Sequence, residues 1–235
     1  MSDRQDVLER LTHELGRAAA LRAAAQENVR LQGTRRHLRA WQAARLARTH
    51  ADLLASPRMG LAAAFFLSDL YGSEDLIKVG ANVRRVVPAM RRLLPTSGLQ
   101  TVAQAFELEA LSEDLDFAMT KTLGTSAGEL TASVYAAAYR KVGRRADRDR
   151  QIDLIEELCN SLDHLVHQPF IGATLSMMHG PARLAGLSEL QDFLQRGYDA
   201  FIKMDGAGEF VHLVVSRERT LLVALLAGDD SLLGQ

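Results

Sequence analysis

Apolar residues recur three and four positions apart along most of the chain, the spacing of one face of an α-helix. Val7, Leu8, Leu11, Leu15, Ala18, Ala19, Ala25 and Val29 form the first stripe, over residues 3–31, and Gly33-Thr34 closes it. Leu38, Trp41, Leu46, Leu53 and Leu54 trace a second helix that ends at Ser56. Gly60 to Gly72 is the most apolar bounded stretch. Ser56 and Pro57 start it and Gly72 stops it, so it belongs inside a core. Val83, Val86, Val87, Met90, Leu93 and Leu94 continue the helical spacing, with Pro88 forcing a kink or a restart. A long helix follows from Thr96-Ser97 through Phe106 and Leu115 to Leu123, closed by Gly124. Ser126 with Glu129 and Ser188 with Gln191 read as capping boxes. The stripe Ile152, Ile155, Cys159, Leu162 and Val166 ends before Pro169, and another runs from Leu190 to Met204. The last helix, from about Glu209 to Ala227, is rich in Val and Leu on several faces and marks a second central element.

No strand alternation bracketed by hairpin turns, no βαβ pattern and no solenoid repeat is present. The expected fold is therefore all-α: a multi-helix bundle of about nine or ten helices around two central apolar helices. Residues 1–33 read as a projecting N-terminal helix and 34–235 as a single helical domain. The charged run Arg144 to Arg150 reads as a surface turn.

A resemblance supports this. Trp41-Gln42, Arg45-Leu46-Ala47, Ala51 to Arg58 and Phe65-Phe66-Leu67-Ser68-Asp69-Leu70-Tyr71-Gly72 resemble an uncharacterised bacterial helical family with an FFLxDLYG signature. The likeness extends through Leu93-Leu94-Pro95, Glu107-Leu108-Glu109, Pro169-Phe170-Ile171 and Arg217-Glu218. It implies the fold and carries no chemistry across.

Composition narrows the classes without naming a function. Over 235 residues the chain is 47% hydrophobic and 24% charged, an ordinary globular balance with room for a large core. The net charge of -1 argues against a dedicated nucleic-acid binder, although residues 1–60 hold 11 Arg and only 6 acids. The single Cys159 excludes an intrachain disulfide and, on its apolar stripe, reads as an inert buried thiol. With no apolar signal core at the N-terminus and no run long enough to span a bilayer, cytoplasmic residence is expected and no membrane partner.

Phosphate loops, dinucleotide fingerprints, nucleophile elbows and CxxC pairs are all missing from the sequence. Chemistry must come from scattered residues. Asp69 stands at the negative end of its helix and so needs a partner, with Tyr71 beside it as a hydrogen-bond donor. Arg217 and Glu218 interrupt the apolar last helix, and buried charge must be paired. Asp69 or Glu107 would be the mates of Arg217 or Arg219, in a polar network that either fixes helix register or holds a small anion.

A metal reading competes. His164 and His167 lie on adjacent turns, and Glu107 or Glu113 would add a ligand; Glu209 and His212 form one Glu-x-x-His step where di-iron bundles use two. The plainer reading makes these polar-face residues. No cofactor is named by the sequence. The leading expectation is a non-catalytic binding or interaction protein, homodimeric, with the N-terminal helix meeting a second copy or another protein. The alternative is a helical-bundle metalloprotein or oxidoreductase.

Overall fold

The computed structural model describes residues 2–67, 87–88, 90–92, 94–124, 130–184 and 188–234. Asp69, Tyr71, the end of the apolar stretch at Gly72 and the capping pair Ser126/Glu129 lie outside the described residues. Within them the chain is helical, and no strand occurs. The helices are α1 (Ser2–Glu27), α2 (Gln32–Thr49), α3 (Ala51–Ala55), α4 (Gly60–Phe65), α5 (Thr96–Leu123), α6 (Ala132–Val142), α7 (Arg145–Val166), α8 (Ile171–Leu184), α9 (Ser188–Met204) and α10 (Gly208–Ala227). None of them is long and apolar enough to cross a membrane.

The bundle is built around α5. Its apolar residues point in several directions, Leu99, Ala103, Phe106, Leu111, Leu115 and Met119 all being buried. Helices α1, α2, α6 and α7 pack against it. Gly124 ends it with a φ of 68°, a left-handed turn that glycine adopts without steric cost.

The first helix corrects an expectation. Rather than projecting, α1 lies along α5, with Leu11, Leu15 and Ala18 fully buried. Arg4 donates to the Thr96 hydroxyl at 3.0 Å and the Leu94 carbonyl at 3.1 Å. Further along, Arg10 pairs with Glu107. The stripe of leucines is spent inside the chain, so it no longer motivates a second copy.

The two apolar rods also meet less closely than expected. Helix α4 packs chiefly on α9 and touches α10 through Phe66 and Phe210, an edge-on pair 6.2 Å apart. The α4–α9 approach needs Gly197, where a Cβ would come within 2.9 Å of the Phe65 ring.

Candidate functional site

Polar side chains are rare in a helical core, and here several gather in one place. Gln42 and Arg45 sit on the phase of α2 that also buries Leu38 and Leu46. His50 caps the end of α2, and Glu218 lies on the buried stripe of α10 between Val215 and Leu221. Tyr135 and Tyr139 are one turn apart on α6, whose start is capped by Thr131. Arg148 continues the apolar stripe of α7 one turn before Ile152.

The turn between α6 and α7 brings Arg148 into this cluster. Gly143 and Arg144 both have positive φ, 61° and 53°. This reverses the chain so tightly that Arg148 Nε donates to the Gly143 carbonyl at 3.0 Å. Its guanidinium lies 3.4 Å from the centroid of the Tyr139 ring, a cation–π contact. Trp41 stacks on Tyr135 at 4.1 Å and closes that side.

Gln42, Arg45, His50, Tyr135, Tyr139, Arg148 and Glu218 line a cavity of about 70 Å³, walled elsewhere by Phe66, Phe210, Val214 and Leu222. That is well above the roughly 10–15 Å³ needed for one water, so the space takes several waters or a compact small molecule. A second cavity, of about 60 Å³ between α4, α5, α7 and α9, has Thr101 as its one polar side chain among the described residues and offers little directional chemistry.

The charges of the first cavity are unevenly matched. Arg45 Nη1 donates to Glu218 Oε1 at 2.5 Å, and His50 Nε2 lies 3.1 Å from the same oxygen. Burial pushes the Glu218 carboxyl up, but Arg45 and His50 more than offset it and hold the group down at about 2. Glu218 is therefore ionised and accepts from His50 Nε2, and His50 Nδ1 has no hydrogen-bond partner among the described residues. Gln42 Nε2 donates to Asp116 Oδ1 at 3.1 Å, and Arg39 Nε donates to Asp116 Oδ2 at 3.3 Å. Burial raises Asp116 and Tyr135 and lifts Tyr139 to about 12, so both phenols stay protonated.

Arg148 is different. It is 6% exposed, and among the described residues it has no carboxylate within ion-pair distance. Its Nη2, together with His50 Nδ1 and Gln42 Oε1, is buried with no hydrogen-bond partner. Such atoms each cost about 1–3 kcal/mol, more for a charged group.

Of the candidate site residues predicted from the sequence that fall among the described residues, Glu218 lines this cavity. Arg217 turns the other way and grips Asp52 with two bonds of 2.7 Å, also donating to the Thr49 carbonyl at 3.0 Å. Arg219 pairs with Asp153 and Glu156. Neither arginine meets Glu107, as had been expected, because these two positions fall on the solvent side of α10.

The proposed metal ligands are scattered. Glu107 is held by Arg10 and Arg150, Glu113 by Arg35 and Arg39, and Glu209 by Arg58. His164 and His212 are exposed, and exposed His167 has its Nδ1 2.7 Å from the Asp163 carbonyl. Arg150 at the start of α7 marks the register against Glu107. His164 lies 14 residues further on, roughly 21 Å along a helix, too far to share an ion with that glutamate. Among the described residues no three His, Cys, Asp or Glu side chains converge as metal ligands would. Cys159 is fully buried and its thiol is pushed well up, which leaves it unreactive.

A family model described as a domain of unknown function (DUF8198) matches residues 21–232, and the chain belongs to that family. No curated protein and no solved structure is matched.

Proposed function

We propose that this member of the DUF8198 family is a binding protein for a small molecule, which occupies the cavity between α2, α5, α6, α7 and α10. One observation carries the reading: a cavity in whose walls Arg148 has no carboxylate within ion-pair distance among the described residues, and Arg148 Nη2, His50 Nδ1 and Gln42 Oε1 are buried without a hydrogen-bond partner there. Folded proteins rarely leave such groups unmet, and a bound molecule would meet all three. The surrounding network, with Arg45 and His50 fixed on Glu218, holds the walls in place before the ligand arrives.

The test is to purify the protein without denaturation, then release and identify small molecules by mass spectrometry. A stoichiometric compound is expected from the unaltered protein and none from Val214→Phe, which fills the cavity. A folded protein that releases nothing, and that no compound in a broad metabolite panel stabilises against heat, would remove the proposal.

One feature favours a second reading, in which the bound molecule is also turned over. His50 is oriented by Glu218 through Nε2, the arrangement of a histidine general base, and its Nδ1 is unoccupied. Recovery of the ligand unchanged after long incubation with the protein excludes it.

A further inference from the structure

Helix α8 carries large apolar groups that the fold leaves bare. It lies on α9 and touches α7, burying Leu175 and Ala182 and half-burying Ile171 and Met178. Its opposite face holds Ala173, Ser176, Met177 and Gly180, all exposed, with Phe170 just ahead of them. Phe170 and Met177 stand seven residues apart, nearly two turns, and are 81% and 77% exposed. Large side chains bared in a row along a helix mark a surface that something else covers.

Phe170 is also strained. Its φ of 70° is a left-handed conformation that an aromatic residue seldom takes, and its carbonyl accepts from the Thr174 N–H at 2.8 Å as the helix opens. With the ring bare, packing within the chain offsets little of that strain. The charges around α8 then say what the face fits. At its start stands exposed Asp205, 3.7 Å from His167 Nε2, with Asp163 3.9 Å from Nδ1 of the same ring. At its end stand exposed Arg183 and His179, which share a surface recess with Asp192, and the helix itself contains no acid. Laid antiparallel on a copy of itself, the acid-bearing start meets the arginine-bearing end, and the two helix dipoles run opposed.

We propose that two copies of this chain associate through α8, packed antiparallel about a two-fold axis at Ser176-Met177. That axis sets Phe170 opposite Arg183 of the second copy, a guanidinium over a ring, and Ala173 opposite Gly180, small residues that let the helices approach. A helix of 14 residues is about 21 Å long, so the contact falls well short of the roughly 800 Å² per copy of a standard interface. The dimer is accordingly weak and reversible. It uses none of the residues that line the cavity described above and stands apart from the binding reading.

Sedimentation velocity over about a hundredfold range of concentration, up to about 1 mM, tests it. The unaltered protein is expected to shift from monomer toward dimer as concentration rises. Phe170→Gly removes the ring and suits the left-handed backbone, and Met177→Lys sets two like charges beside the axis; each should weaken association at least about tenfold. At low concentration both should melt no lower than the unaltered protein, since neither side chain is buried. Val29→Lys, at a site just as exposed on another element, should associate unchanged. Met177→Cys should cross-link two copies under oxidised glutathione, and Val29→Cys should not. A monomer at every concentration overturns the proposal, and so does a dimer that both variants keep. A monomer that instead floats with vesicles of phosphatidylcholine and phosphatidylserine, and stops doing so as Phe170→Gly, gives the face to a lipid surface and overturns it too. Should Phe170→Gly not fold, Met177→Lys decides alone.

Discussion

Two buried polar regions lie along α5, and they differ in how their charge is matched. Under α1 and α2, Arg22 faces Glu109 at 3.1 Å, Arg35 and Arg39 hold Glu113, and Arg39 also reaches Asp116. Each of these arginines has a carboxylate. Beyond Asp116 the second region begins, with Arg45 and His50 on Glu218 but Arg148 on no acid among the described residues. The first region has the character of a structural network that fixes how α1 and α2 sit on α5. The second combines a similar network with a void and with Arg148, a buried cation that meets no carboxylate among the described residues, and that difference is what separates a candidate site from a strut.

The largest effect should come from removing one wall of the matched region. Deleting residues 1–33 uncovers the α5 surface against which Leu11, Leu15 and Ala18 are fully buried, and it takes Arg10 from Glu107, which keeps Arg150, and Arg22 from Glu109. The truncated chain is expected to lose cooperative unfolding by calorimetry and circular dichroism. If it melts as the full chain does, α1 is no part of the core. Next in size is Glu113→Gln, which leaves Arg35 and Arg39 facing a neutral group; breaking such a pair costs about 3–5 kcal/mol. Urea titration measures it, and a loss under about 1 kcal/mol would mean that the match of charges there is incidental.

Much of this fold was legible from spacing alone. The helix read from Thr96 to Leu123, with Gly124 as its stop, is the helix observed. That α5 rather than the Gly60 stretch forms the middle was not legible. Its stripe carries Glu109, Glu113 and Asp116, which a single-sequence reading takes as a solvent face until their arginine partners on other helices are known. The site followed the same rule. Glu218 was found because it interrupts an apolar helix. Arg148 was hidden in a run with three other arginines, although its place four residues before Ile152 put it on the buried phase of α7. Gln42 and Arg45 likewise shared the phase of Leu38 and Leu46. The His164/His167 reading failed at the opposite limit, since spacing within a helix says nothing about the register between two helices.

The two regions should answer pH with opposite sign. Glu218, ordinarily near 4.5 and held at about 2, favours the folded state above pH 4.5; that contribution, about 3 kcal/mol, fades as pH falls from 4.5 toward 2. Glu109 behaves the other way. Burial lifts it to about 7 against the pull of Arg22, so the folded state holds its proton longer than the unfolded chain, and stability declines by up to about 3 kcal/mol as pH rises from 4.5 to 7. Denaturation curves over that range should slope downward for the unaltered protein and flatten in Glu109→Gln, while Glu218→Gln should flatten only the acid limb. An unchanged slope between pH 4.5 and 7 in Glu109→Gln would place the titration elsewhere.

The smallest effect on stability is the sharpest for the comparison. Arg148→Met removes a hydrogen bond to the Gly143 carbonyl and a contact with the Tyr139 ring, together worth about 1–3 kcal/mol. It also removes the cost of keeping a charge buried without an opposite one, which is of similar size and opposite sign. Methionine fills much of the same volume and adapts its shape, so no large void is left. The ligand-free variant should therefore unfold within about 1 kcal/mol of the unaltered protein in urea. Glu113→Gln, an equally conservative change in the matched region, should not be forgiven in this way. If Arg148→Met instead costs about 3 kcal/mol or more, the guanidinium is serving the fold, and the difference drawn between the two sides of α5 disappears.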